Sequence, residues 1–284
     1  MTYLILGATG LQGGAVAREM LTRGHAIRIL TRRATSDRAK ALAKSGAVVI
    51  EGDLSRPETL PEAFKGVTGV FSVQDFYAPG VGLVGELEQG RAVIAAAKAA
   101  GVRHIVQSTM GDGNAPGGPE HFISKALLER EIKRSGLDWT LLGTVWFMEN
   151  LLNPQMKPSL MFPVLAGSLD PQTKFQMLAI EDLGWMAAEA LTDPDAWAGR
   201  KINLAGDVMT VAQMKETYRA VTGKSPKTWR IPRALFRRMA PEFAEQLGWH
   251  NRVNFSFGSE DLRQLKPDAS GLADFFELHS VAPM

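Results

Sequence analysis

The sequence holds no cysteine, which excludes disulfides, thiolate nucleophiles and cysteine-ligated metal ions. No metal centre is expected, and a reducing cytoplasm is the simplest setting for such a chain. Nor is there an apolar run near the roughly 18 residues of a membrane-crossing helix. No basic leader with a cleavage site precedes the strand pattern that begins at Thr2, so no signal peptide is expected. Basic runs are missing too. The 32 Lys and Arg are spread along the chain against 30 Asp and Glu, for a net charge of +2. Charge therefore gives no case for nucleic acid or an anionic membrane as partner. Repeats and low-complexity tracts are absent. What is present is apolar mass: hydrophobic residues make up 45% of 284, enough for one large domain or two small ones.

Two periods alternate in the first half. Short runs rich in β-branched residues predict strands: YLILG (3–7), AIRIL (26–30), AVVI (47–50), VTGVFSV (67–73) and RHIVQS (103–108). Several lack polar alternation, as strands covered on both faces do. Between them, helical patterns run from Leu11 to Arg23, Ser36 to Lys44, Pro57 to Phe64 and Glu86 to Ala100. This spacing predicts βαβ units. The result is an α/β fold with a doubly wound parallel sheet and a ligand crevice at the carboxyl ends of the strands. A helix over 119–135 and a strand over 138–143 continue the pattern, which then breaks. Residues 153–171 carry four prolines and read as loop. Residues 181–193 read as a helix that Asp182 can cap, 200–206 as a strand, and 210–223 as an amphipathic helix closed by Gly223. The tail from Lys224 is mostly helical. The expected division is a nucleotide domain over 1–152, with 174–206 returning to it. A smaller, mostly helical C-terminal lobe for substrate would take 153–173 and 207–284.

Gly7, Gly10 and Gly13 stand between the first strand and the first helix, the context a dinucleotide loop requires. Gly7 suits a tight turn, Gly10 a close approach to a pyrophosphate, and Gly13 close packing of helix on sheet. The helix end adds amide N–H groups and a positive dipole. The spacing is G-x-x-G-x-x-G, and the absence of G-K-[ST] disfavours a mononucleotide P-loop. At the end of the second strand, where a carboxylate normally holds the adenosine ribose, the chain has Thr31, Arg32 and Arg33, and the next acid is Asp37. A guanidinium there suits a 2′-phosphate, which points to NADP(H) over NAD(H). Arg32 is the first choice for that contact and Arg33 the second, with stacking on adenine as its other use. After the third strand, Asp53 is placed to accept from the adenine amino group beside the Leu54 amide, or to cap a helix at Pro57.

The nicotinamide would lie over the ends of the fourth, fifth and sixth strands, in 71–80, 107–114 and 142–152, where aromatics mix with amides and hydroxyls. Gln74, Ser108, Val145 and Phe147 are the cofactor contacts expected there. Phe76, Tyr77, Trp146 and Phe147 would hold an acceptor. Only three tyrosines occur, Tyr3, Tyr77 and Tyr218, and none has Lys four residues on. The Tyr-x-x-x-Lys pair of many short-chain dehydrogenases is thus missing. HFISK (121–125) takes its place, with His121 and Lys125 one turn apart on one helix face and Ser108 or Thr109 as the hydroxyl. His121 is either a proton donor of suitable intrinsic pKa or a plain helix-start histidine. Lys125 either reaches the nicotinamide ribose or is a solvated lysine paired with Glu129. Lys125, His121 and Tyr77 are the candidate catalytic groups.

Together these pieces resemble the NmrA-like proteins, an atypical branch of the short-chain dehydrogenase/reductase superfamily. The likeness is carried by GATGLQGG (7–14), TRR (31–33), GDL (52–54), AAKAAGVRHIVQST (96–109), FISKALLEREIKRSGLDWTLL (122–142), WFMENLL (146–152) and INLAGDVMTVAQMKETYRAVTGK (202–224). It implies a Rossmann domain that prefers NADP(H). Gly7, Thr9, Gly10, Leu11 and Gln12 would line the pyrophosphate, Arg32 the 2′-phosphate and Lys125 the nicotinamide ribose. Residues 143–150 would flank the nicotinamide, and Phe147, Glu149 and Asn150 would edge the substrate cleft. Relatives often carry Arg-Pro after the sixth strand, where this chain has Gly143 and Thr144. The family holds reductases of quinones or similar conjugated acceptors, and also proteins without measurable catalysis that sense NADP(H) by binding a regulatory partner.

The leading expectation is therefore an NADPH-dependent reductase of a quinone, enone or similar small molecule. The second is a non-catalytic sensor whose loops around 74–82 and 111–119 order on cofactor binding. A Tyr-type dehydrogenase or epimerase is disfavoured by the missing tyrosine. A homodimer or a regulatory protein partner is compatible with the first two.

Overall fold

Strand and helix alternate through the first half as the two periods predict. The computed structural model describes residues 1–111, 118–152, 158–226, 229–253 and 255–280, without side chains for 158–160 and 280. The elements are β1 (Thr2–Ile5), α1 (Leu11–Thr22), β2 (Ala26–Thr31), α2 (Asp37–Lys44), β3 (Val48–Glu51), α3 (Pro61–Phe64), β4 (Gly69–Ser72), α4 (Gly82–Ala99), β5 (His104–Met110), α5 (Glu120–Arg134) and β6 (Asp138–Thr144). Then come β7 (Trp146–Phe147), α6 (Pro158–Ser168), β8 (Phe175–Leu178), α7 (Ile180–Thr192), α8 (Pro194–Trp197), β9 (Arg200–Asn203), β10 (Asp207–Met209), α9 (Val211–Thr222), α10 (Arg233–Met239), α11 (Pro241–Arg252), α12 (Glu260–Leu265) and α13 (Leu272–Ser280). The described residues fall into two units. The first takes those within Met1–Gly113, Glu120–Gly143 and Leu183–Ile202; the second takes those within Asn114–Pro119, Thr144–Asp182 and Asn203–Met284.

The first unit is built on a seven-stranded sheet of order β3-β2-β1-β4-β5-β6-β9, with β1–β2, β2–β3, β1–β4 and β4–β5 all parallel. It is a Rossmann-type doubly wound sheet, and strand order reverses beside β1, where such folds open a crevice at the carboxyl edge. One face buries Leu4, Leu6, Val70 and Ile105 against Phe64, Leu87, Val93, Leu128 and Ile132 from α3, α4 and α5. Each such side chain contributes about 1.5–3 kcal/mol on leaving water. Elsewhere in this unit α1 buries Ala15, Val16 and Met20. Gly184 brings α7 so close to it that a Cβ there would lie 3.0 Å from the Ala15 backbone. The pattern over 57–64 is not one helix. A 3-10 turn at Pro57–Thr59 precedes α3, because Pro61 has no N–H to return to the Pro57 carbonyl.

The second unit carries a three-stranded sheet of order β10-β8-β7, parallel between β7 and β8 and antiparallel between β8 and β10. The sequence pattern did not reveal it, since its strands are two to four residues long. The strand expected over 200–206 stops at Asn203. The four-proline stretch is not all loop: Pro158–Ser168 is helical, with Pro163 inside it. Pro158 stands at the first helical position, where a missing N–H costs nothing. Met161, Phe162, Val164 and Leu165 are buried in this unit's core, and that burial outweighs the bond lost at Pro163. The Pro163 carbonyl accepts from the Ile231 N–H at 3.2 Å. α9 does begin and end as read, with a Thr210–Gln213 capping box and Gly223 at φ 69°. Asp182 is not a cap. It lies inside the first turn of α7, 2% exposed, accepting from the Ser270 N–H at 2.9 Å and Lys266 Nζ at 3.1 Å. Burial pushes its carboxyl pKa up. Among the described residues no helix is long and apolar enough to cross a membrane.

Candidate functional site

The carboxyl edge of the first unit's sheet gathers most of the residues singled out above. Gly7 turns the chain after β1 at φ +64°, and a Cβ on it would lie 2.7 Å from Val73. The Gly10 N–H closes the turn onto the Gly7 carbonyl at 2.8 Å. α1 then starts at Leu11 with no side-chain cap and no acid in its first turn. Its leading N–H groups and positive end are left for a ligand or solvent. Gly10 and Leu11 are exposed, and Thr9 and Gln12 half-buried. At Gly13 a Cβ would stand 2.3 Å from the Leu6 carbonyl oxygen, so α1 rests directly on the backbone just past β1. Gly13→Ala should cost about 2–3 kcal/mol and lower the melting temperature by roughly 5–10 °C. An unchanged melting curve would show that the contact relaxes freely.

Three arginines stand beyond β2. Arg32 is 65% exposed, yet its Nη2 lies 4.0 Å from Asp75 Oδ2, past the end of β4. β2 and β4 flank β1 on opposite sides, about 10 Å apart, so the Arg32 side chain reaches across the end of β1. Such an exposed pair contributes little and yields readily to a stronger anion. Arg33 is exposed, its N–H donating to Thr31 Oγ1 at 3.3 Å. Arg38, in the first turn of α2, donates to the Thr9 carbonyl at 2.9 Å. The sequence reading missed Arg38; the signal was a third base six residues past Arg32, just inside the helix pattern that follows the TRR run. After β3, Asp53 does not cap the turn at Pro57, which has no side-chain cap. Its Oδ1 accepts from the Ser55 N–H at 2.9 Å, and its own N–H donates to Thr59 Oγ1 at 2.9 Å. Leu54 packs partly buried against the sheet's core.

At β4 and β5 a buried amide network replaces the open contacts expected. Gln74, 6% exposed, donates to Ser72 Oγ at 2.8 Å and accepts from Gln107 Nε2 at 3.0 Å. Both ends of its amide are engaged within the unit. Ser108 and Thr109 point to opposite faces, as neighbours on a strand must. Ser108 Oγ donates to Gln12 Oε1 at 2.5 Å, on the glycine-loop side. Thr109 donates to the buried Glu129 at 2.7 Å, which removes it as the hydroxyl beside the loop.

The aromatic cluster forms in part. Tyr77 Oη lies 3.3 Å from His121 Nδ1, and the His121 ring packs against Phe76 at 5.6 Å and Phe122 at 4.5 Å. Tyr77 is 64% exposed and His121 8%. His121 is thus neither a surface residue nor remote from a hydroxyl. Lys125 does not pair with Glu129. Its Nζ lies 2.7 Å from Glu86 Oε1, while Glu129 takes Lys201 at 2.8 Å. Nothing in the sequence marked Glu86.

Val145 and Phe147 belong to the second unit. So does Trp146, which is 6% exposed within that unit's core and packs on Phe175, so its ring is not an acceptor platform. Glu149 Oε1 accepts from the Ile180 N–H at 3.0 Å and ties down the start of α7, and burial pushes its pKa up. Residues 112–117, part of the loop expected to order, lie outside the described residues.

Residues 1–271 match the sequence model of the NmrA-like family. An NAD(P)H azoreductase of Xenophilus azovorans is 33% identical over 197 residues, 67% of this chain and 63% of that protein. An NADPH-dependent quinone oxidoreductase of Escherichia coli superposes with a TM-score of 0.79 at 22% identity, over 98% of this chain and 99% of the other. NmrA, a negative transcriptional regulator solved in complex with NADP, superposes with a TM-score of 0.77 at 19% identity, over 97% and 94%. At such identities the two superpositions speak for a shared fold.

Proposed function

The chain belongs to the NmrA-like family, and from that premise we propose that it is an oxidoreductase that uses NADPH to reduce a quinone or another conjugated carbonyl acceptor. The observation that carries this reading is a glycine loop with no room for β-carbons at Gly7 and Gly13, with Arg38 on its Thr9 carbonyl and Arg32 directed toward Asp75 beyond β4. The uncapped start of α1 would take the pyrophosphate through its free N–H groups. Arg32, Arg33 and Arg38 would take the 2′-phosphate, with Asp53 and the Leu54 amide toward the adenine. The Lys125 ammonium would hold the nicotinamide ribose, and Ser108 with Gln12 would close the loop side.

Bound NADPH supplies a hydride. The protein's part is to hold the partners in register and to provide the accompanying proton. Reduction of a quinone to a hydroquinone consumes one hydride and one proton. In this reading Tyr77, exposed and 3.3 Å from the His121 ring nitrogen, would pass that proton, with His121 as the reserve behind it. Phe76 offers an adjoining apolar edge.

Oxidation of NADPH by the full chain with benzoquinone and naphthoquinone acceptors tests the reading. Turnover well above the uncatalysed rate is expected. Tight NADP(H) binding without turnover of any acceptor would instead favour a sensor, as the likeness to the NADP-bound regulator allows. The azoreductase among the relatives makes an azo dye the natural further acceptor to try.

A further inference from the structure

Glu86 of α4 is fully buried, at 0% exposure. Its two carboxylate oxygens have separate partners, both on α5. Lys125 Nζ lies 2.7 Å from Oε1, and the Ser124 hydroxyl donates to Oε2. Taking a carboxylate out of water is costly, and a buried ion pair adds little stability over apolar packing of the same volume. α4 and α5 have apolar means to pack. Gly90 receives Leu128 so closely that a Cβ there would lie 2.4 Å from it. The pair therefore calls for a reason beyond joining two helices.

The donor count supplies one. An ammonium has three N–H donors. Lys125 has Glu86 as its one protein partner among the described residues, and its side chain stays 17% exposed. It is clamped on one side and accessible on the other, with two donors unspent. Glu129, a buried acid on α5, differs. Thr109, Lys201 and Lys133 converge on it from β5, β9 and α5 itself, which makes it a cross-link.

We propose that Glu86 is a positioning residue: it clamps the Lys125 ammonium so that its two remaining donors meet the vicinal hydroxyls of a ribose. In the reading above, on which this inference rests, that ribose is the nicotinamide ribose. Free lysine side chains lose much rotamer freedom when a ligand fixes them. Glu86 removes that loss before the ligand arrives.

A double-mutant cycle on NADPH affinity tests this, with the full chain titrated by cofactor fluorescence. Glu86→Gln should raise the NADPH dissociation constant about tenfold. In a Lys125→Met background the same change should have almost no further effect, because Glu86 acts through Lys125. Glu86→Asp, which keeps the charge but retracts it, should fall between wild type and Glu86→Gln, and it serves if the glutamine variant does not fold. Equal weakening in both backgrounds would mark Glu86 as merely structural and overturn the proposal. So would unchanged affinity in the single variants. Failure of the wild type to bind NADPH would overturn the functional reading itself, and this inference with it.

Discussion

Arg32→Glu should raise the dissociation constant for NADPH about hundredfold while moving that for NADH by less than about threefold. The two cofactors differ only in the 2′-phosphate, so the ratio isolates one contact. A charge-assisted hydrogen bond contributes about 1.5–3 kcal/mol, and reversing the charge adds repulsion against a dianion. Arg32 leans across the end of β1 toward Asp75 and is 65% exposed, so the variant has no buried partner to strand. Arg38→Ala removes a charge rather than reversing one, so it should weaken NADPH less than this, and it should weaken NADH as well, since Arg38 also props the loop through the Thr9 carbonyl. Parallel titrations of both cofactors check it. Equal weakening of NADPH and NADH by Arg32→Glu would show that the 2′-phosphate is read elsewhere.

Acid should unfold the protein between about pH 6 and pH 3, chiefly through two neutral buried histidines. Burial lowers the His104 pKa from 6.5 to about 4 and the His250 pKa from 6.5 to about 3. The unfolded chain binds these protons first, so the stability they confer is complete above about 6.5 and is lost as pH falls toward the folded values. The His104 shift corresponds to about 3 kcal/mol, and that of His250 to more. Either is a sizeable share of the margin of a typical domain, about 5–15 kcal/mol, and the two act in different units.

The geometry explains the neutrality. Thr140 gives its hydroxyl proton to the Trp197 carbonyl, so it accepts from His104 Nε2 at 2.9 Å, and His104 Nδ1 is buried with no partner among the described residues. A second proton there would meet nothing. His250 sits among Phe175, Trp249 and Phe255, with ring centroids 4.8–5.4 Å away. Glu149 and Asp182 work in the opposite sense. Their raised pKa values mean that the folded state takes up protons as pH falls toward the ordinary carboxyl range, which offsets part of the loss. His250→Phe keeps a ring in the aromatic nest and removes the titration. Its acid midpoint, followed by tryptophan fluorescence, should move lower. A midpoint that stays in place would show that other groups drive the transition.

Much of the first unit was legible because its signals are local. Periods of two and 3.6, glycines at a turn and bases after a strand are properties of neighbours in the chain. The second unit was less so. Its sheet rests on strands of two to four residues, too short to show a period. Its proline-bearing helix forms because Phe162 and Leu165 find a core. Trp146 shows the limit in one residue. Its position after β6 suggested a binding aromatic, while its burial makes it packing.

Read alone, the chain points to its family, its doubly wound sheet, the glycine loop and the basic end of β2, because each is assembled from signals between near neighbours in the chain. Folding alone settles which partners the lone groups meet: Glu86 rather than Glu129 for Lys125, Gln12 for Ser108, His121 for Tyr77, and the loop carbonyl of Thr9 for Arg38. These pairs lie tens of residues apart in sequence. A charge or a hydroxyl carries no label for a distant partner until packing brings the two together and shuts water out.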